Sequence, residues 1–243
     1  MTYTLKDKRV LLIGSGSGIG SAVAAALRSE GAAVVLAGRN PDKFAETMKR
    51  LDITEPAVHI DLSKEDTLRA LAGQVQGRGE FDHVISLASA PPNVPVADLD
   101  REEIIAAFDA KVVGPLLLAK HLSPLINEQG SLLFFSGVAA WRPSSGLTVM
   151  ATTNGAVSFL VSALAVELAP VRVNAISPGI VDSGAWDGAL GEGKAGFFDQ
   201  VRASNPARRV GATEDIAAAA VALLTNPFIT GETLHVDGGG RFA

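Results

Sequence analysis

The sequence predicts a doubly wound α/β fold, in which helices cover both faces of a single parallel sheet. Short apolar runs rich in Val, Ile and Leu alternate with longer segments that have helical spacing. The runs are apolar throughout rather than at every second residue, which is typical of parallel strands buried on both faces. Sheets of this class commonly reach the length of this chain around one core, so we expect one domain, residues 1–243.

Six of the apolar runs are predicted as strands because they are short and bounded by polar or helical segments. In chain order they comprise residues 10–13, 33–37, 57–60, 84–87, 132–136 and 171–176. Right-handed crossovers join strands in a β-α-β order of this kind, and ligands then bind beyond the carboxyl ends of the strands.

Five segments between the strands have the spacing of helices. They comprise residues 18–30, 41–51, 64–75, 101–127 and 146–168. Pro41 stands in a first turn, where proline is tolerated, and Ser63 is predicted to cap the third helix. Gly31 and Gly130 are predicted to end the first and fourth helices. Pro115 is expected to break or kink the fourth helix, because proline has no amide hydrogen.

The segment from residue 177 to residue 212 is rich in glycine and has no strong strand signal. We expect it to form a lid over the site, with one or two short helices. Thr213, directly after it, is predicted to cap a further helix.

The composition excludes several classes of protein. Hydrophobic residues make up 47% of the chain and charged residues 19%, which indicates a large buried core. The net charge of −5 comes from interspersed charges, so we expect neither nucleic acid nor a membrane as a partner. The absence of cysteine excludes disulfides and thiolate metal sites, and the four histidines have no metal spacing. The polar N-terminus has no apolar leader, and we expect a cytoplasmic location.

A glycine-rich loop follows the first predicted strand and opens the first helix. Its glycines have the spacing GxxxGxG. Such a loop lets the backbone approach a pyrophosphate, whose charge is stabilised by exposed amides and by the positive end of the helix. The alternative is a turn that only packs the helix on the sheet. We expect cofactor contacts from Gly14, Ser15, Ser17, Gly18, Ile19 and Gly20.

The end of the second strand predicts the choice of cofactor. Where an acidic residue would bind the ribose hydroxyls of NAD, the chain has Gly38, followed by Arg39. The Arg39 guanidinium can bind the 2′-phosphate of NADP; the alternative is a solvated loop residue. After the third strand, Asp61 and Leu62 are expected to flank the adenine, and Asp61 could alternatively cap a helix.

Several motifs along nearly the whole chain resemble those of the short-chain dehydrogenase/reductase family. They are the glycine loop and residues 61–62, 86–89, 172–179 and 230–239. The resemblance implies a single-domain Rossmann fold, use of NAD(P)(H), and a homodimer or homotetramer packed through the fourth and fifth helices. It also implies cofactor contacts from Ala88, Pro178, Gly179, Ile180 and Ser183, with Ser183 bonding the nicotinamide carboxamide.

The catalytic positions depart from the family pattern. Members of the family usually have an Asn in the fourth helix, a Ser after the fifth strand, and Tyr-x-x-x-Lys in the fifth helix. This chain has Lys111, Gly137, Met150 and Asn154 at these positions, with Ser136 next to Gly137. Methionine cannot transfer a proton, so Met150 is interpreted as an apolar wall of the pocket.

We hypothesise that Lys111 and Asn154 are the family's Asn and Lys exchanged. The pocket would then keep one ammonium and one carboxamide, and the lysine could serve in acid–base chemistry or polarise a substrate oxygen. Alternatively, Lys111 reaches solvent and Asn154 is ordinary polar filler. Ser136 could donate a hydrogen bond to substrate or satisfy local backbone. Trp141, Arg142 and Trp186 are expected at the rim of the site.

Two function classes follow from these features. The first is an NADP(H)-dependent reductase of a small carbonyl or alcohol substrate, with a non-standard catalytic site. The second is a redox-inactive NADP(H)-binding protein with a regulatory or partner role. No metal is expected in either case.

Overall fold

The computed structural model describes residues 4–16, 18–76, 81–89 and 91–243. Within this part of the chain, seven parallel strands form one sheet in the order β3-β2-β1-β4-β5-β6-β7. The strands are β1 (Arg9–Ile13), β2 (Ala33–Gly38), β3 (Val58–His59), β4 (Phe81–Ser86), β5 (Ile126–Phe135), β6 (Arg172–Pro178) and β7 (Thr233–Val236). The predicted doubly wound fold is confirmed, and the seventh strand, which the sequence did not predict, extends it.

Nine α-helices accompany the sheet in the described residues. They are α1 (Gly18–Ser29), α2 (Ala45–Arg50), α3 (Glu65–Gln76), α4 (Arg101–Phe108), α5 (Gly114–Leu122), α6 (Thr148–Glu167), α7 (Ala185–Leu190), α8 (Lys194–Ser204) and α9 (Thr213–Thr225). Helix α1 ends where predicted, because Gly31 adopts a φ of 85° and its amide donates to the carbonyl of Arg28.

Two hydrophobic cores lie on the two faces of the sheet, because successive side chains of a strand point to opposite faces. On β1, Val10 and Leu12 belong to the core covered by α1 and α9, whereas Leu11 and Ile13 belong to the core covered by α3, α5 and α6. All four side chains are buried. Each contributes roughly 1.5–3 kcal/mol by leaving water, which holds the end of β1 in place beneath the glycine loop.

The fourth predicted helix is interrupted rather than continuous. Between α4 and α5, residues Asp109–Val113 form a π-helical turn, in which the amide of Gly114 donates to the carbonyl of Asp109. Pro115 follows directly and cannot donate an amide hydrogen to the preceding turn. The helix break that is expected at Pro115 is therefore the π-helical turn before it, and this turn carries Lys111.

The predicted end of that helix was wrong. Helix α5 ends at Leu122, and the chain is already in strand β5 from Ile126, so Gly130 lies inside a strand instead of ending a helix. Residues 131–134 pair with both β4 and β6. This pairing and the burial of an apolar strand between two neighbours outweigh local helical spacing.

Two predicted helix caps were also wrong. Helix α3 begins at Glu65, and the hydroxyl of Ser63 donates to Asp61. Helix α9 begins at Thr213 itself, so Thr213 is not the cap. Instead, the Asp215 carboxylate accepts the amide hydrogen of Ala212, which satisfies one free donor at the helix start.

Helix α6 is long and apolar enough to cross a membrane, judged by length and composition alone. In the fold it packs along β5 and β6, with Val157, Val161 and Leu164 buried in the core. Its outer face exposes Phe159 and Val166. Its apolar composition therefore reflects a core helix with a second, exposed apolar face.

The winding of the chain places a crevice at one edge of the sheet. Strand β1 has β2 on one side and β4 on the other, so the connections after β1 and β4 leave in opposite directions. Such a point, beyond the carboxyl ends of the strands, is where doubly wound sheets bind ligands. The glycine loop follows β1 at this point.

Candidate active site

A cavity of about 980 Å³ opens beyond the carboxyl ends of β1, β4, β5 and β6. Parallel strands bring their following loops to this one edge, so residues far apart in the chain meet here. Of the predicted site residues, those that line the cavity are Gly14, Gly18, Ile19, Gly20, Lys111, Ser136, Asn154, Pro178, Gly179, Ile180 and Ser183.

The other predicted cofactor residues lie around the cavity rather than in its wall. Ser15 is fully buried, and its hydroxyl has no hydrogen-bond partner in the described chain. Leu62 is buried in the core, whereas Ala88 is half-buried beside the glycine loop. Arg39 and Asp61 lie farther out, at the ends of β2 and β3. The prediction for Ser17 falls outside the described residues.

The glycine loop forms a cradle that side chains would fill. A β-carbon at Gly20 would lie 2.6 Å from the carbonyl oxygen of Gly14. A β-carbon at Gly18, whose φ is 55°, would lie 2.5 Å from the carbonyl oxygen of Ser183. The loop can therefore hold the start of α1 close to the sheet and beneath the lid. The first amides of α1 have no partners within the helix, so this cradle fits the diphosphate of a dinucleotide.

The structure gives a steric reason for the absence of an acidic residue at position 38. A β-carbon on Gly38 would lie only 2.8 Å from Cζ of the buried Phe44 ring. No side chain fits there unless this ring moves. Arg39, the next residue, is exposed, so its guanidinium can reach a ligand at the end of β2.

Asp61 has a local structural role in this structure. Its Oδ1 accepts hydrogen bonds from the amide and the hydroxyl of Ser63, at 3.1 and 2.7 Å. Burial raises the pKa of Asp61, but the Ser63 hydrogen bonds and the charges of Lys64 and Arg39 outweigh burial and lower it. The carboxylate thus stabilises the turn before α3 through Ser63, which lies outside the helix, and a contact of Asp61 with adenine stays a prediction.

Lys111 is a buried amine at the bottom of the cavity. The π-turn places it there, and only 6% of the residue is exposed. In the part of the chain that the structure describes, its side chain has neither a hydrogen bond nor an ion pair. Burial lowers the pKa of Lys111 to about 8, because the charged form loses hydration that nothing replaces. The solvent-reaching alternative for Lys111 does not fit this placement.

Asn154 projects from α6 into the same cavity and is 4% exposed. Its Nδ2 would lie 2.7 Å from a β-carbon at Gly137. Ser136, at the end of β5, donates its hydroxyl hydrogen to the backbone carbonyl of Asn154 at 2.8 Å. The Ser136 hydrogen is therefore committed to backbone, and its oxygen can only accept a further bond.

The lid region contains the two short helices α7 and α8. The Trp186 and Phe197 rings line the cavity and contact each other with centroids 4.9 Å apart. Lys194, which begins α8, forms ion pairs with Asp182 and Asp187 at 2.8 and 2.6 Å. These contacts hold the two helices together over the cavity, although the role of residues 177–212 as a moving lid stays a prediction.

Several lining residues were not predicted from the sequence. They are polar or apolar side chains from separate loops and from α8: Asn93, Ser144, Leu147, Phe197, Gln200 and Asn205. No local pattern marks them, because each faces the cavity only once the loops after β4, β5 and β6 have come together. Of the predicted rim residues, Arg142 and Trp186 line the cavity, whereas Trp141 is absent from its lining and packs edge-on against His235.

Comparison with known proteins agrees with this architecture. A family model described as enoyl-(acyl carrier protein) reductase matches residues 13–240. The short-chain dehydrogenase/reductase ucsE of an Acremonium species is 30% identical, over 98% of this chain and 97% of its own length. The chain is thus similar to reductases over almost its whole length.

Solved structures show the same likeness. The MalC reductase/Diels-Alderase of Malbranchea aurantiaca has a TM-score of 0.90 at 29% identity, over 98% of each chain. A small-chain dehydrogenase in complex with NADPH has a TM-score of 0.83 at 30% identity, over 98% of this chain and 100% of its own. The glycine cradle, the seven-stranded sheet and these relatives agree: the chain belongs to the short-chain dehydrogenase/reductase family, whose oxidoreductases use nicotinamide cofactors.

Proposed function

We propose that this protein is an NADP(H)-dependent oxidoreductase that interconverts a small carbonyl compound and its alcohol, with Lys111 as its proton-handling residue. The observation that carries the proposal is the placement of Lys111. It is a buried amine with no side-chain partner in the described chain, and it lines the same cavity as the glycine loop and the Pro178–Gly179 turn. Met150, which stands where the family has its tyrosine, cannot transfer a proton.

NADP(H) supplies or accepts the hydride when it is bound. Gly14, Gly18 and Gly20 would hold its diphosphate, and Ser183 would bond its carboxamide. Two observations favour the phosphorylated cofactor. An acidic side chain at position 38 would have to displace the buried Phe44 ring, and Arg39 is exposed beside it. A solved relative in complex with NADPH supports the same choice.

Lys111 would provide the proton when a carbonyl oxygen is reduced. Its ammonium lowers the energy of negative charge that develops on this oxygen, and donation of a proton then leaves a neutral amine. A pKa of about 8 lies near physiological pH, so both protonation states are accessible. Asn154 would hydrogen-bond the reacting oxygen or the Lys111 amine, because its carboxamide has no other partner among the described residues. The burial of both groups excludes competing water.

A redox-inactive NADP(H)-binding protein is the second candidate. The observation that favours it is the packing at Gly137, where the family's serine hydroxyl is absent and Asn154 takes up the space. Such a protein would bind cofactor in the cradle and act as a regulator or as the partner of an active subunit. Hydride transfer separates the two candidates, because both predict cofactor binding.

The test is NADPH oxidation, followed by absorbance, with a panel of aldehydes and ketones. We expect turnover by the wild type and a loss of about 10²–10⁴-fold in kcat for Lys111→Ala, with NADPH binding retained. Lys120→Ala is the matched control, because Lys120 is an exposed lysine paired with Glu65. Undiminished activity of Lys111→Ala would overturn the role of Lys111. Tight NADPH binding without any turnover would favour the second candidate.

A further inference from the structure

The cavity carries positive charge that its own residues do not balance. Its described lining includes two cations, Lys111 and Arg142, and one carboxylate, Asp237. The Asp237 oxygens already accept bonds from the amides of Gly239 and Arg241 and from the Arg241 guanidinium, at 3.0–3.1 Å. Neither cavity cation has a carboxylate partner within the described ranges. A ligand with a negative charge would supply the missing counter-charge.

Arg142 is held at the rim of the cavity by its own loop. Its amide donates to the carbonyl of Val138 at 2.8 Å, and the neighbouring Trp141 packs edge-on against His235 at 4.8 Å between centroids. One guanidinium nitrogen donates to the carbonyl of Gly240 at 3.3 Å. A guanidinium has five N–H donors in a planar fork, so most of its donors are available to a ligand.

The position of Arg142 separates it from the diphosphate cradle. The cradle follows β1, whereas Arg142 follows β5, and β4 lies between these two strands in the sheet. Strands spaced by roughly 4.8 Å put the two loops about 10 Å apart. Gly240, which binds the guanidinium, follows β7 on the side away from the cradle. This spacing favours a group of the substrate, rather than the cofactor diphosphate, as the anion at Arg142.

The lining near these cations is largely apolar. Leu147 and Met150 contribute aliphatic surface from the start of α6, and the rings of Trp186 and Phe197 contribute aromatic surface from the lid. A surface of this kind favours a ligand with an apolar body. It also weakens competition from water, which strengthens a charged contact at its edge.

We propose that the cavity selects carbonyl compounds that also carry a carboxylate, with Arg142 as the carboxylate subsite and Met150, Trp186 and Phe197 as the wall for the apolar body. Arginine binds a carboxylate through two parallel hydrogen bonds, which fixes orientation as well as affinity. Lys111 then faces the carbonyl at the inner end. The inference rests on the proposed function for the reacting carbonyl, whereas the carboxylate subsite can be tested without any turnover.

The experiment measures binding of 4-phenylbutanoate and of its neutral amide, 4-phenylbutanamide, to protein saturated with NADP⁺. The two probes share one carbon skeleton and contain no reducible ketone, so loss of redox activity does not affect the result. We expect the acid to bind about tenfold more tightly than the amide. The preference should weaken at high salt, because Arg142 is exposed.

Two variants assign the preference to a residue. Arg142→Gln should remove the preference for the acid and leave binding of the amide unchanged. Arg69→Gln is the matched control, because Arg69 is an exposed arginine on α3 that already pairs with Asp66, and it should keep the preference. Thermal unfolding checks that both variants are folded. Equal binding of acid and amide, no binding of the acid, or an undiminished preference in Arg142→Gln would each overturn the proposal.

Discussion

The α-carbon of Gly137 faces the Asn154 side chain so closely that a β-carbon at position 137 would lie 2.7 Å from Asn154 Nδ2. The backbone of Asn154 is held to β5 from the other side, because its carbonyl accepts the hydroxyl of Ser136. The Asn154 carboxamide therefore occupies the space that a side chain at position 137 would need. A side chain at position 137 fits only if the Asn154 carboxamide moves.

The first prediction concerns this packing. Gly137→Ser, which introduces the serine that the family resemblance implies near this position, should lower the free energy of unfolding by about 1–3 kcal/mol, because the new side chain collides with Asn154. Gly155→Ala in α6 is the control, because an added β-carbon there meets no atom within 4 Å. That change should raise stability by up to ~1 kcal/mol, since alanine favours a helix over glycine. Urea unfolding of both variants measures these values.

The double variant Gly137→Ser/Asn154→Ala provides the stricter check. Removal of the carboxamide makes room for the serine, so the combined loss of stability should be smaller than the sum of the two single losses. Additive losses would contradict the proposed contact between positions 137 and 154.

The second prediction is a pH dependence of stability from Lys111. Its pKa falls from the ordinary 10.5 to about 8 in the folded protein, because burial disfavours the charged form. Between these two values the unfolded chain binds more protons than the folded one, so stability should rise as pH rises. Well below pH 8 both the folded and the unfolded state carry the Lys111 proton, and the full cost of the buried charge, about 3 kcal/mol, remains.

Lys111→Met removes that cost, and it should be more stable than the wild type at pH 7. The difference should shrink as the pH increases from 8 towards 10.5. Lys120→Met, at an exposed lysine, should differ from the wild type by an amount that does not change over this range. Urea unfolding at several pH values gives the curves. The difference in stability between Lys111→Met and the wild type could instead stay constant with pH. That result would mean that burial does not lower the pKa of Lys111 in the folded protein.

The third prediction concerns cofactor choice. NADPH should bind more tightly than NADH, and Arg39→Ala should weaken NADPH chiefly, by roughly 1–3 kcal/mol for a lost charge-assisted contact. Gly38→Asp should not produce an NADH-preferring protein, because the Phe44 ring blocks the new side chain. Fluorescence titration with both cofactors measures the affinities. Equal affinities of the wild type for NADPH and NADH would refute the role of Arg39.

The fourth prediction is a homo-oligomer with twofold symmetry. Leu116 on α5 and Phe159 and Val166 on α6 are exposed apolar side chains on the two helices that the family resemblance assigns to subunit contact. A second copy would remove them from water, so we expect a mass above that of the monomer by light scattering at micromolar concentration. Phe159→Glu should lower this mass. Phe228→Glu, at an exposed ring after α9, should keep the α5–α6 dimer. A monomeric wild type would contradict the prediction.

The sequence by itself determined six of the seven strands, most of the crossovers between them and the location of the glycine loop. Local sequence patterns are enough to predict these strands and the loop at Gly14, Gly18 and Gly20. Apolar runs and glycine spacing depend on backbone geometry over only a few neighbouring residues. The prediction of cofactor choice from Gly38 and Arg39 also used only neighbouring residues. Where local pattern and long-range pairing disagreed, as for Gly130 inside β5, the sequence reading was wrong.

Only the tertiary structure decided the chemistry of the individual side chains. The burial of Lys111 depends on a π-turn packed against other elements, and the space taken by Asn154 depends on Gly137 in a different loop. The hydroxyl of Ser136 is committed to the backbone of α6, and Arg142 reaches the loop after β7. A pKa, a steric conflict and an unbalanced charge all depend on which distant groups surround an atom, and the local sequence does not specify those groups.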